Sequence, residues 1–427
     1  MPSLPTAVNS HMRIAVWHNT LSGGSRRVLY HNIRGLIERG HEVECWSPST
    51  ADRSYLPLQG LVPEHVSDFD ASLASRFGPA GRYLKSFRRM REMDKVCQQA
   101  AREIQAGGFD LLFANTCFCY YMPFIVRHLN MPKVVYLHEP FRPFYEAAPA
   151  LPWVGRVFNG DHSLPARARG FIADQFRLQG IRVQARREWL NAHSCDAILT
   201  NSYYSRESIL RAYGRAATVC YLGVDTEMFC NQRRPRERFI VGMGAFTLAK
   251  GIELAIKSIV LLPELRPPLI WIGDSGSLGY IRDLQHFADS SGVSFEARRL
   301  ISDEEVVQIL NRAALFIYSS RLEPFGLAPL EANSCGTPVV AVAEGGVRET
   351  VKDGLNGFLV DSEPEAIAQA INRLLGDSEL AKNMGDRACQ YVRQEWNLEK
   401  SVGWLEENLL KVFRASRSQV KAKCFAH

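Results

Sequence analysis

The 427-residue sequence has no C-x-x-C pair among its ten cysteines, no Gly-Lys dipeptide, and no G-x-G-x-x-G after its first strand-like run. The missing C-x-x-C and the scattered spacing argue against a thiolate metal site and fit a reducing cytosol. Cys117 and Cys119 come nearest to a motif; they point the same way on a strand and read as core thiols. The other two absences exclude a nucleotide triphosphatase loop and a dinucleotide oxidoreductase fingerprint. No acidic pair of the D-x-D type is read at a strand end, so no metal is expected. The opening MPSLPTAVNSHMR has neither a basic n-region nor an apolar h-region, so no signal peptide is expected. Residues 108 to 126 lack Lys and Arg, but Asp110, Asn115 and Pro123 break the run before it reaches membrane-spanning character.

What is present has the balance of a globular protein, with 46% apolar and 22% charged residues. The length predicts two domains. A net charge of +6 suits anionic ligands or an anionic surface and falls short of a nucleic-acid binder.

Strand-like runs alternate with helical periodicity along the chain. RIAVW, then a helical stretch with Leu29, Ile33, Leu36 and Ile37 closed by Gly40, then HEVECW, form a βαβ unit and imply a parallel sheet. DLLFAN, KVVYL, DAILT and TVCYL continue it, interrupted by an Arg- and Pro-rich insertion at about 140–190. After a polar linker at 226–238 a second series runs FIVGM, LIWIG, VSFEA, LFIY, PVVAV and GFLV, with a capping box at Ser302 and Glu305. The fold class is therefore α/β, two doubly wound halves with ligands expected at the carboxyl ends of their strands. The halves are placed at 12–228 and 236–390, followed by a helical segment, 391–427, that packs back across both.

Four places carry chemistry. In SSRLEPFGLAPLEANSCG, Glu323 and Glu331 flank a bend and a helix start, where the N–H groups from Phe325 through Gly326 and Leu327 to Ala328 attract an anion. Glu331 alternatively satisfies free N–H groups of that first turn. Lys250, between a strand and a helix, can neutralise a phosphate or be a solvated loop lysine. Gly23 and Gly24 open the first helix, either for close ligand approach or as a simple turn. His138 ends KVVYLH in a catalytic or a structural role.

These stretches, in this order, resemble the retaining nucleotide-sugar glycosyltransferases of the GT-B fold, family 4 (glycosyl transferases group 1). The carriers are LSGGSRRVLYHNIRGLIERGHEV, CDAILTNSYYSRESILRAYG, YLGVDTEMF, AKGIELAIKSI, IWIGDSG, LFIYSSRLEPFGLAPLEANSCGTPVVA and EGGVRETVKDGLNGFLV. The resemblance implies a hexosyltransferase with the acceptor on the N-terminal domain and a UDP- or GDP-linked sugar on the C-terminal one. No further cofactor is implied. By it, Glu323, His138 and Lys250 are catalytic. Gly23, Gly24, Lys250, Phe325, Gly326, Leu327 and Glu331 bind the donor, Glu323 at the sugar and Glu331 at the ribose. Ala245 stands where the family carries an arginine, a loss for which Arg321 or Arg26 can substitute. A sugar-nucleotide 2-epimerase and a non-catalytic sugar-nucleotide binder stay open as alternatives.

The acceptor is expected to be a glycan or lipid-linked glycan. GRYLKSFRRMR at 81–91 and the six arginines against two acids at 165–188 read either as solvated surface or as peripheral contact with an anionic membrane. The protein is placed in the cytoplasm, free or at the inner membrane surface, with no nucleic-acid partner.

Overall fold

The computed structural model describes residues 11–70, 78–147, 151, 153–154, 163–263 and 266–424. It divides into two compact units, one of residues 1–200, 206–220 and 404–427, the other of 201–205 and 221–403. Both are three-layered α/β bodies built on a parallel sheet.

Unit 1 holds seven parallel strands: β1 (Arg13–Asn19), β2 (Glu42–Pro48), β3 (Glu64–Ser67), β4 (Leu111–Cys117), β5 (Lys133–Tyr136), β6 (Ala197–Thr200) and β7 (Thr218–Val219), ordered β3-β2-β1-β4-β5-β6-β7. The apolar runs explain why these segments are central strands. Ile14, Ala15, Val16 and Trp17 are all fully buried, as a parallel sheet covered on both faces requires. The helix Gly24–Glu38 returns Leu29, Ile33 and Leu36 to the core.

Unit 2 repeats the plan with β8 (Glu237–Met243), β9 (Leu269–Ile272), β10 (Phe295–Arg298), β11 (Ala313–Tyr318), β12 (Val339–Val342) and β13 (Gly357–Val360), ordered β10-β9-β8-β11-β12-β13. The Ser302 hydroxyl accepts from the Glu305 N–H at 3.2 Å and starts the helix Asp303–Arg312, as the capping box predicts. In both sheets the winding reverses beside the first strand, between β1 and β4 and between β8 and β11. Loops leaving those carboxyl ends open a crevice within each sheet.

Two readings need adjustment. The four-residue edge strand β3 has no apolar alternation and escaped the sequence pattern, and Asp68 and Asp70 follow it, so a D-x-D does stand at a strand end. Among the described residues no group of three or more His, Cys, Asp or Glu comes together as a metal site. The division between units falls at 220/221, ahead of the polar stretch at 226–238, and residues 201–205 pack with unit 2. The helix Leu398–Cys424 belongs to unit 2 up to residue 403 and to unit 1 from residue 404. In unit 2 the Ser401 hydroxyl donates to the Tyr221 carbonyl at 2.9 Å; in unit 1 Glu406 meets Arg39 at 3.1 Å and His41 at 3.0 Å. No helix among the described residues is long and apolar enough to cross a membrane.

Candidate active site

In unit 2 the loops after β8 and β11 meet at the crevice. β8 delivers Met243, and the chain turns through Gly244 and Ala245 into a short 3-10 turn, Leu248–Lys250. β11 delivers Tyr318, then Ser319 to Gly326, then the helix Leu327–Ser334. The two loops are tied together. The Arg321 N–H donates to the Ala249 carbonyl at 3.0 Å, and the Ser319 hydroxyl donates to the Lys250 carbonyl at 3.0 Å. Gly251 is left-handed (φ 64°), and a methyl group there would land on the Ser319 carbonyl oxygen. Only glycine allows that approach.

This tie sets Lys250 Nζ at 2.6 Å from Glu323 Oε2, both side chains about one-fifth exposed. Charge-assisted pairs of this length lie in the strong range of hydrogen bonds. The Tyr318 phenol, raised well above its ordinary value first by burial and then by the Glu323 carboxylate, lies beneath it. Gly326 is the left-handed N-cap (φ 103°) of the helix Leu327–Ser334, and no side chain caps it. The first N–H groups of that helix therefore lack intrahelical partners, in the arrangement that attracts anions. Glu331 is the fifth helical residue, one turn further in than the sequence suggested, and is buried.

Several supports were invisible in the sequence. The Gly346 N–H donates to the Glu323 carbonyl at 2.7 Å, and a methyl on Gly346 would land on the Pro324 carbonyl oxygen. That same carbonyl accepts from the Ser202 hydroxyl at 2.5 Å and the Ser205 hydroxyl at 3.3 Å. Glu349 accepts from the N–H groups of Tyr203 (3.0 Å) and Tyr204 (3.1 Å) and from the Tyr221 hydroxyl (2.9 Å). The only hint was position, since these residues lie in stretches rich in Ser, Gly and Tyr. Both proposed substitute cations for Ala245 are engaged elsewhere in this structure. Arg321 Nε is paired with Glu344 at 2.6 Å, and Arg26 is fully buried in unit 1.

The remaining candidates belong to unit 1. Gly23 (φ 103°) precedes the helix Gly24–Glu38, which has no acidic residue in its first turn, and the space a methyl group would occupy at Gly23 is open. His138 follows β5. Its N–H donates to the Thr116 hydroxyl at 3.2 Å, and burial lowers its imidazole to about 4, so it is neutral at physiological pH. The structure thus brings Lys250, Glu323, Phe325, Gly326, Leu327 and Glu331 together in unit 2, and leaves Gly23, Gly24 and His138 on unit 1.

Residues 22–228 match the family model described as Glycosyltransferase Family 4, and residues 224–391 that described as Glycosyl transferases group 1. A GDP-mannose-dependent alpha-(1-6)-phosphatidylinositol monomannoside mannosyltransferase of Mycolicibacterium smegmatis is 29% identical over 62% of this chain and 75% of its own length. A D-inositol 3-phosphate glycosyltransferase of Streptomyces griseus is 30% identical over 50% of this chain, and the match spans 45% of that relative. Among solved structures, sucrose-phosphate synthase from Thermosynechococcus elongatus superposes with TM-score 0.68 at 19% identity, covering 94% of this chain and 100% of the other. Anabaena HepE in complex with UDP and glucose superposes with TM-score 0.66 at 22% identity, covering 93% and 99%.

Proposed function

The chain belongs to the GT-B-fold glycosyltransferases of family 4, and on that premise we propose that it is a retaining enzyme that moves a sugar from a nucleoside diphosphate to an acceptor hydroxyl. The observation that carries this reading is the Lys250–Glu323 pair beside the uncapped start of the helix Leu327–Ser334. Departure of the diphosphate concentrates negative charge on the leaving oxygen while the sugar carbon becomes oxocarbenium-like. Lys250 and the N–H groups of Leu327 and Ala328 stabilise the leaving charge. On donor arrival Lys250 turns from Glu323 to the phosphate, which frees Glu323 to accept from sugar hydroxyls near the reacting carbon. Glu331 holds the ribose. In unit 1, Gly23 and Gly24 leave room for an approaching ligand, and His138 is a neutral hydrogen-bonding group.

The donor is GDP- or UDP-linked, the first supported by the mannosyltransferase relative and the second by the UDP-bound neighbour. The acceptor is lipid-linked, presented at an anionic membrane. Supporting this, the helix Leu164–Ser194 exposes Leu164, Phe171, Ile172 and Phe176 among its arginines. The expected thermal-shift result is stabilisation by GDP or UDP and not by ADP. With the matching labelled donor, product NMR then reads an unchanged anomeric configuration. Turnover of donor without acceptor would indicate an epimerase, and binding without any turnover a non-catalytic protein. Sedimentation with anionic vesicles at low salt tests the membrane; no binding there favours a dissolved acceptor.

A further inference from the structure

Unit 1 contains a cavity of about 720 Å³ beside the winding reversal between β1 and β4, away from the lysine–carboxylate pair of unit 2. The helices Gly78–Ala106 and Leu164–Ser194 wall it with Lys85, Arg89 and Phe176, and Phe118 and Phe141 line its apolar side. Cys119 also lines it, on the tight turn that follows β4. The turn closes with the Tyr120 N–H donating to the Cys117 carbonyl at 3.2 Å, which keeps residues 117 and 119 on one bend.

Three contacts surround the two sulfurs. Arg89 Nη2 donates to Cys119 Sγ at 3.2 Å. One amide group, Asn19 Nδ2 at the end of β1, donates to Cys117 Sγ at 3.3 Å and to Cys119 Sγ at 3.8 Å. The other charges facing the cavity are Lys85, without an acidic partner among the described residues, and Asp174 and Arg177, which pair with each other at 2.8 Å. The surroundings of Cys119 are therefore net cationic, which favours a thiolate. The neighbouring Cys117 thiol, and after it Arg89, hold Cys119 down to about 7, whereas burial pushes Cys117 well above its ordinary value. One sulfur is thus a partly exposed nucleophile, and the other a buried thiol within reach of the same amide.

We propose that Cys119 is a reactive modification site, and that with Cys117 it forms a dithiol that peroxide closes to a disulfide. The Cys119 thiolate attacks one oxygen of hydrogen peroxide, the O–O bond breaks, and hydroxide leaves a sulfenic acid on Cys119. The Cys117 sulfur then attacks the sulfenic sulfur. The S–S bond forms, the S–O bond breaks, and the released hydroxide takes the Cys117 proton as water. Two thiols are oxidised by two electrons while peroxide is reduced to two waters. Closure takes the sulfur acceptors away from Asn19 and Arg89 and remakes one wall of the cavity, and a thiol reductant reverses it. The proposal is independent of the donor chemistry in unit 2.

Brief iodoacetamide labelling of the intact protein, read by peptide mass, tests the first half. Cys119 is expected to react about tenfold or more faster than Cys230, the other partly exposed cysteine among the described residues. Equal or slower labelling overturns the proposal. Peroxide treatment tests the second half on the tryptic peptide 103–127, which contains both sulfurs. That peptide is expected about 2 Da lighter and closed to alkylation until dithiothreitol is added. Oxygen addition at Cys119 with Cys117 still free to alkylate overturns the disulfide. The Arg89→Gln variant is expected to label Cys119 about fivefold more slowly, and Cys117→Ser to stop at a dimedone-reactive sulfenic acid. If either variant fails to fold, the two wild-type measurements decide alone.

Discussion

In unit 1 the strands beside the winding reversal, β1 and β4, end in His18, Asn19 and the Cys117 turn; in unit 2 their counterparts β8 and β11 end in Gly244 and Ser319. His18, Asn19 and Cys117 are themselves buried and uncharged, with the partly exposed Cys119 sulfur and Arg89 beside them. His18 is lowered to about 3 by burial and then by Arg26, so like His138 it stays neutral. The second set is a backbone crossing with a lysine–carboxylate pair above it. One strand order therefore hosts two chemistries, because the sheet fixes only where loops emerge and the loop residues decide what is presented there. The loops of unit 2 present charge, whereas His18 and His138 of unit 1 offer hydrogen bonding without charge.

The strongest attempt to break this comparison is Glu323→Gln, which keeps the side-chain shape and removes the charge of the unit 2 pair. The expected outcome is a kcat about 10²–10³-fold lower with nucleoside diphosphate affinity nearly unchanged, measured by steady-state assay and calorimetry. A loss confined to KM would make Glu323 a binding residue only. Next in size, Glu331→Ala is expected to raise the donor KM by about tenfold to a hundredfold, with a smaller change in kcat. Because Glu331 is buried, circular dichroism must first show the variant folded.

The comparison is sharpened by pH, through the neutral groups of unit 1. Between pH 6.5 and 4.5, His18 and His138 bind protons when unfolded and refuse them when folded, so stability falls as pH falls. Glu188, pushed up to about 7 by burial, opposes them, since it holds a proton when folded and releases it on unfolding in that window. Two protons against one leave a net loss of about 1.4 kcal/mol per pH unit on acidification. A melting temperature recorded at pH 6.5, 5.5 and 4.5 checks the sign; a rise on acidification would mean that the histidines charge in place. The smallest expected effect is that of Ala245→Arg, which adds a cation to the unit 2 loop. It is expected to tighten donor binding by about 1 kcal/mol. Weaker binding in a titration would show that the space beside Phe246 is already filled.

Both sheets were legible in the sequence because parallel strands buried on two faces are written as short apolar runs such as RIAVW and LFIY. β3 was not, since EHVS at a sheet edge needs no apolar pattern. At the site, the helix start at Leu327 followed from Gly326 and Pro329, because those residues constrain the backbone locally. The Lys250–Glu323 contact spans 73 positions and depends on which strands are neighbours, so no local rule could supply it. The same holds for Ser202 and Gly346 against Pro324. The pairing of Arg321 was equally hidden, because its partner Glu344 arrives from the loop after β12.

The carbonyl of Pro324 accepts from two serine hydroxyls, its neighbour Glu323 accepts from Gly346, and Leu322 is held left-handed at φ 51° between them. A non-glycine residue persists in that conformation only where its surroundings over-determine it. The segment is therefore rigid before any ligand arrives, and little chain entropy remains to be lost when one does. On the proposed reading, a nucleotide docks onto a finished backbone surface here, and differences in affinity among nucleotides fall mainly on how fast they leave.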